Sequence, residues 1–274
     1  MKIDYTISIL GCGWLGLPLA KKLIENGHIV KGSTTSPKKL ALLHKNKIDP
    51  YLIEVQKKIK GNNLPHFFSS GILVVNLPPG RKRRDVARSH PQQMAAIIES
   101  ALLNGVKKIL FVSSTSVYGN VNRTVTEADE PRPETGSAQA LVKAEDMLLR
   151  QEDFETTIIR FGGLVGEDRK AGRFLSGKKD IKNGDAPVNM IDQADCVAIL
   201  TQIIEQNIWG EIFNACADEH PTKSAFYTAQ AKKQGFEVPT FSVTENLIGY
   251  KKVSNYKLKQ RLSYEFLKPN PMEF

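Results

Sequence analysis

Cysteine is scarce in this 274-residue sequence, and the three present, Cys12, Cys196 and Cys216, lie far apart with no Cys-x-x-Cys spacing. An odd, scattered set gives neither a disulfide framework nor a zinc site, and the expected setting is a reducing cytoplasm. His28, His44, His66, His90 and His220 never reach His-x-x-x-His spacing, so no metal is expected. No Gly-x-Ser-x-Gly elbow occurs, which removes one common nucleophilic triad. Long hydrophobic runs are missing too. The uncharged stretch from Tyr5 to Ala20 is broken by three glycines and Pro18, with Asp4 offsetting Lys2 just before it. It falls short of the roughly 18–20 apolar residues that a span requires, so it reads as soluble structure rather than as a leader or a membrane segment.

Acid is the minority charge: 29 Asp and Glu stand against 38 Lys and Arg, a formal +9. The excess favours anionic ligands such as nucleotides and phosphorylated sugars. The densest basic run, Arg81-Lys82-Arg83-Arg84, lacks the interleaved aromatics of a single-strand groove. It reads as a solvated or phosphate-facing loop, and no nucleic-acid partner is expected. With 41% hydrophobic residues, the chain has enough apolar material for a sizeable core.

Apolar runs of strand length alternate with segments of helical period, the pattern of successive βαβ units and a parallel sheet. Strands are expected at Thr6 to Leu10, His28 to Gly32, Leu52 to Val55, Gly71 to Leu77, Lys108 to Val112, Thr156 to Phe161 and Glu211 to Ala215. Helices are expected at Leu17 to Asn26, Gln92 to Leu103 and Ser137 to Arg150. The glycine- and lysine-rich stretch Gly166 to Asp185 is too long for an ordinary connection and reads as a mobile functional loop. Beyond Ala217 the alternation weakens into short elements.

Gly11-Cys12-Gly13-Trp14-Leu15-Gly16 is a G-x-G-x-x-G run that follows the first strand and opens the first helix. That context points to a dinucleotide. Gly11 permits the tight turn, Gly13 lets backbone approach a pyrophosphate, and Gly16 lets the helix pack closely on the sheet. Backbone N–H groups at Trp14 and Leu15 then face phosphate oxygens at the positive end of the helix. The alternative is a glycine-rich connection with no ligand. After the second strand, Lys31 to Lys39 contains no acidic residue but offers Ser33, Thr34, Thr35, Ser36 and Lys38. A carboxylate there would bind the ribose hydroxyl of NAD, whereas hydroxyls and ammonium groups accept a 2′-phosphate, so NADP is favoured over NAD. The same run can also serve as a helix cap and solvated basic turn.

Together several segments resemble the NAD-dependent epimerase/dehydratase family, the extended and atypical short-chain dehydrogenase/reductases. They are the glycine turn, Asn76-Leu77-Pro78-Pro79, Phe111 to Gly119 (FVSSTSVYG), Ile159 to Gly166 (IRFGGLVG), Val188 to Asp195 (VNMIDQAD) and Gly210 to Asn214 (GEIFN), spread over nearly the whole chain. The resemblance implies an α/β, Rossmann-like, doubly wound and mostly parallel sheet with a small C-terminal substrate-side cap. Residues 1–165 would form the cofactor domain, receiving elements from 186–217, and 166–274 the cap and loop region. It further implies cofactor contacts at Asn76, Leu77 and Pro78, and a homodimer joined through helices on one sheet face.

In that family a hydroxyl four residues before the Tyr-Gly pair, here Ser114, meets the reacting group, and a Tyr-x-x-x-Lys on the following helix supplies acid and base. The helix Ser137 to Arg150 has no tyrosine. Anchoring on Lys143 puts Gln139 at the tyrosine position; anchoring on Ala144-Glu145 puts Ser137 and Leu141 at the Tyr and Lys positions. Lys143 then either bonds the nicotinamide ribose or is a solvated lysine, and Tyr118 is the nearest phenol for recruitment as an acid. Arg160, Arg173 and Asn189 are candidates to bind a polar, anionic, nucleotide-sugar-like substrate under the Gly166 to Asp185 loop. Two functions follow: an NADP-dependent oxidoreductase, epimerase or dehydratase with atypical acid/base residues, or a non-catalytic NADP-binding or redox-sensing module.

Overall fold

The structure, a computed structural model, describes residues 5–80, 85–243 and 249–274. The basic run Arg81 to Arg84 lies outside them. The chain divides into two compact units: Met1–Val117, Pro133–Ile159 and Ile199–Ile212 form one, and Tyr118–Arg132, Arg160–Ala198 and Phe213–Phe274 the other. The chain therefore passes between units several times, and residues 199–212 return to the first unit from within the stretch 186–217 that the sequence reading assigned back to it.

In chain order the elements up to the sixth strand are β1 (Thr6–Leu10), α1 (Gly16–Glu25), β2 (Ile29–Thr34), α2 (Leu40–Lys45), β3 (Asp49–Val55), β4 (Ile59–Gly61), α3 (Leu64–Phe68), β5 (Ile72–Val75), α4 (Val86–Leu103) and β6 (Lys108–Ser114). They are followed by β7 (Arg123–Val125), α5 (Gly136–Leu149), β8 (Glu155–Phe161), β9 (Gly163–Val165), β10 (Met190–Asp192), α6 (Gln193–Glu205), β11 (Ile212–Ala215), α7 (Lys223–Lys233), β12 (Lys251–Val253) and α8 (Tyr256–Leu262). The main sheet runs β11-β8-β6-β5-β1-β2-β3-β4. β1 is parallel to β2 (Ile7 opposite Val30) and to β5 (Ile7 opposite Ile72), β2 to β3 and β5 to β6, while β4 closes the edge antiparallel to β3. This is the α/β, Rossmann-like, mostly parallel architecture expected.

Apolar continuity explains the central strands. Ile72, Leu73, Val74 and Val75 are all fully buried, as strands covered on both faces must be. At about 1.5–3 kcal/mol per buried side chain, they contribute roughly 6–12 kcal/mol before entropy is charged against them. Ser8, buried in β1 among them, is satisfied by donating to the Phe67 carbonyl.

Three differences from the sequence reading have physical causes. α4 begins at Val86 rather than near Gln92, with Pro91 inside it, because Val86 and His90 are buried along with Met94 and Ile97. That packing outweighs the one hydrogen bond proline removes. The three-residue pairs β9 with β10 and β7 with β12 were not foreseen: strands so short are stabilised by their partners, which lie far away in sequence. The Gly166 to Asp185 loop is pinned to its own unit. Gly172 packs against α7, where a Cβ would come within 2.6 Å of the Gln230 carbonyl, and Ile181 N donates to Thr240 O at 3.0 Å. Among the described residues no helix is long and apolar enough to cross a membrane.

Candidate functional site

The strand order reverses at β1, which lies between β2 and β5, and their parallel C-terminal ends form the switch point where α/β sheets bind ligands. The glycine turn occupies it. Gly11 N donates to Ser33 Oγ (2.9 Å), Cys12 N to Ser33 O (2.8 Å), and Asn76 Nδ2 to Gly11 O (3.0 Å). The three glycines serve different needs. Gly11 has φ +109°, and a Cβ there would lie 2.6 Å from Asn76 O; one on Gly16 would lie 2.2 Å from Gly11 O. Those two are consumed by close backbone packing. A Cβ on Gly13 would meet nothing within 4 Å, so this glycine borders open space at the mouth of α1. Trp14 is half-buried and Leu15 buried, in the turn that opens α1. An exposed backbone cradle at a helix start fits a pyrophosphate.

Beyond β2, Ser33 is buried and its hydroxyl and carbonyl both brace the glycine turn. Thr34 Oγ1 accepts from Ser36 N at 3.2 Å. Thr35 and Lys38 are exposed and Ser36 half-buried. Lys31 points elsewhere, donating to the carbonyls of His66 and Ser69, and burial pulls its pKa below the usual lysine range. Beside the cradle, Asn76 and Leu77 are half-buried and Pro78 exposed.

Ser114 ends β6 half-buried, its Oγ accepting from Ser116 N at 3.2 Å. Next to it Ser113 is buried and donates to the buried carboxylate of Glu145 on α5. This contact sets the rotation of α5: Ala138, Leu141, Ala144, Glu145 and Leu148 are buried, Ser137 is half-buried, and Gln139 and Lys143 are exposed. Lys143 lies two residues from Glu145, about 200° around the helix. The structure does not bring Lys143 to the β6 face, and the stripe that does face it reads Ser137, Leu141, Glu145.

In the second unit Tyr118 is 2% exposed. Its hydroxyl accepts from the Arg160 guanidinium at 2.6 Å and donates to Asn214 Oδ1 at 3.0 Å. Arg160 also stacks 5.0 Å from the Tyr118 ring centroid. Burial pushes the phenol pKa up against the opposing pull of Arg160 and Asn214. The Asn214 backbone N–H in turn bonds Glu127 at 2.7 Å, whose carboxyl is also pushed up by burial. Tyr118 is therefore a buried strut rather than an exposed acid, and Arg160, 3% exposed, is its clamp rather than a group presented to solvent. Asn189 bridges to β12, donating to Lys251 O (2.9 Å) and accepting from Val253 N (2.7 Å). Arg173 is exposed on a short 3-10 turn at Ala171–Arg173.

The profile of the NAD(P)H-binding family matches residues 11–207, most of the chain and all of the glycine turn. The chain belongs to the NAD(P)H-binding family. Protein YeeZ of Escherichia coli (strain K12) is 31% identical over 268 residues, 97% of this chain and 97% of that one. Among solved structures, the UDP-glucose 4-epimerase of Thermotoga maritima, in complex with UDP-glucose, superposes with a TM-score of 0.76 at 18% identity, covering 96% of this chain and 93% of that one. The enzyme WbmG of Bordetella bronchiseptica, in complex with NAD and UDP, gives 0.77 at 15% identity, covering 98% and 91%. At such identities the likeness is one of fold, that of NAD-dependent epimerases and short-chain dehydrogenase/reductases.

For this member of the NAD(P)H-binding family, the glycine turn, the β2 turn and Asn76 are the residues that would hold the dinucleotide, which supplies or takes up hydride when bound. Sequence reasoning missed the Ser113–Glu145 pair, Glu127 and Asn214. One signal was available: a glutamate at position 145 shares the stripe of Leu141 and Leu148, and an acid on an apolar helix face needs a buried partner.

Proposed function

We propose that the protein binds NADP(H) at the β1/β5 switch point and acts as a reductase- or epimerase-type enzyme on a small, polar, anionic substrate of nucleotide-sugar character. The open cradle at Gly13 carries the reading, because among the described residues nothing comes within 4 Å of a Cβ placed there, while both flanking glycines are packed. The exposed Thr35 and Lys38, the half-buried Ser36 and the absence of acid from Lys31 to Lys39 support the phosphorylated cofactor. In this reading Ser114 bonds the reacting carbonyl and solvent supplies the proton. The buried, unpaired cysteines suit a reducing cytoplasm.

A second copy of the chain is part of the proposal. An apolar groove of about 390 Å³ between α4 and α5 is lined by Ile98, Leu102 and Met147, with Glu99 and Arg150 also lining it, so a twofold pairing sets opposite charges together. Leu102, Leu103 and Leu149 remain exposed on these helices. Light scattering should report a dimer that Leu102→Asp splits.

A non-catalytic NADP(H)-responsive module is the second reading, favoured by the Ser137, Leu141, Glu145 stripe, which carries no phenol or ammonium. Titrating Trp14 fluorescence with NADPH and with NADH tests the cofactor: NADPH should bind more tightly, and Lys38→Glu should weaken it about tenfold while sparing NADH. Equal affinity for the two would refute the phosphate preference. Loss of NADPH absorbance on adding a sugar nucleotide, slowed by Ser114→Ala, supports the enzyme; tight binding with no turnover across such substrates supports the sensor.

A further inference from the structure

The second unit contains a cavity of about 230 Å³ formed by β9, the turn at Ala171–Arg173, the end of β10, α7 and the segment around Lys268. Its apolar wall is Val165, Ala171 and Phe274. The amides of buried Gln230 and half-buried Gln234 form the floor, and they are already committed: Gln234 Nε2 donates to Gln230 Oε1 (2.7 Å), Gln234 Oε1 accepts from Gly172 N (2.9 Å), and Gln230 Nε2 donates to the main-chain oxygens of Pro271 and Phe274. With its amides so engaged, the floor offers little new bonding.

The charged groups differ. Asp192, 5% exposed, pairs with Lys268 Nζ at 2.9 Å and also caps Ala194 N, while Glu167 and Lys170 stand exposed and line the same cavity. Each Asp192 oxygen retains a lone pair, and the Lys268 ammonium has two further N–H groups. Two carboxylates and two ammonium groups thus line one small volume, Asp192 and Lys268 as an ion pair and Glu167 and Lys170 as exposed groups. A purely anionic ligand would face Asp192 and Glu167, and a purely cationic one Lys170 and Lys268. A molecule carrying both signs satisfies both pairs. At about 230 Å³ the cavity lies below the usual range for sites that enclose drug-sized ligands, which suits a small molecule.

We infer that this cavity is a binding site for a small zwitterion of α-amino-acid type, with the ligand ammonium between Asp192 and Glu167 and its carboxylate between Lys268 and Lys170. The site is independent of the dinucleotide reading, since every residue forming it belongs to the second unit and none to the glycine turn.

Calorimetric titration of the full chain with each of the standard α-amino acids tests it, with NADPH binding measured in parallel by Trp14 fluorescence as the check on folding. At least one amino acid should bind saturably with 1:1 stoichiometry. Its N-acetyl and methyl-ester forms should each bind about tenfold or more weaker, and Glu167→Gln and Lys170→Met, both exposed changes, should each weaken it about fivefold or more. Absence of saturable binding by any amino acid at millimolar concentration overturns the inference. So does binding that survives capping of either charge, or that both variants leave unchanged. Failure of NADPH to bind while an amino acid does would refute the cofactor proposal and leave this site standing.

Discussion

Strands of mostly four to seven residues, packed side by side in one sheet with the three-residue β4 at its edge, organise the first unit, whereas the second contains the three-residue pairs β9 with β10 and β7 with β12, knit together by side chains. Asp195 shows the second style. Fully buried, it accepts from Tyr264 Oη (2.7 Å), Leu267 N (2.7 Å) and Lys268 N (3.2 Å), so one carboxylate fixes the path of a whole C-terminal segment. Asp218 does the same on a smaller scale, taking Lys259 Nζ on both oxygens and Asn255 on one. In the first unit the backbone ladder performs this task, and buried hydroxyls such as Ser8 only complete it. A sheet can hold a ligand cradle at its C-terminal edge with backbone alone; a region poor in regular structure must use charged side chains to hold its shape.

The largest test of that contrast is Asp195→Ala, which removes the buried acceptor shared by Tyr264, Leu267 and Lys268 and should cost about 3–5 kcal/mol in chemical denaturation. Ser8→Ala, the matching deletion in the sheet, should cost about 1 kcal/mol. Equal losses would break the comparison.

A smaller effect concerns acid. His220 in the second unit has its pKa lowered to about 4, first by burial and then by the Lys252 charge, while its Nδ1 bonds the Val188 carbonyl. Because the native imidazole stays neutral where the unfolded one takes a proton, this stability is present above the unfolded pKa of about 6.5 and is lost as pH falls toward 4. Allowing for partial exposure, the loss should be about 1–2 kcal/mol, and His220→Gln should flatten that slope in denaturation curves across the range.

Gly13→Ala sharpens the description of the first unit. The new methyl enters open space, so stability should hold within about 0.5 kcal/mol while NADPH affinity falls about tenfold, about 1.4 kcal/mol. Smallest of all is Lys143→Ala, which should leave both unfolding and NADPH binding within about 0.5 kcal/mol of the parent, as expected of an exposed helix position. A loss of affinity there would return Lys143 to the site.

The cradle was legible because its parts are adjacent: strand, glycine turn and helix start within residues 6–25, each required by a local backbone condition such as the φ of +109° at Gly11. The acid/base region was not legible in the same way. Lys143 and the Ala144-Glu145 anchor gave two phases for one helix, and an amphipathic pattern does not say which polar residue turns inward. Arg160, Tyr118 and Asn189 were read as groups for a ligand, and each is engaged with the protein itself.

Residue order alone therefore determined the parallel sheet, its opening turn and the dinucleotide chemistry, since strand burial and glycine geometry act over a few neighbouring positions. Tertiary packing decided which side chains remain available. Ser113 meets Glu145 from 32 residues away and Tyr118 meets Asn214 from 96, and the desolvation of a polar group depends on whichever distant segment covers it.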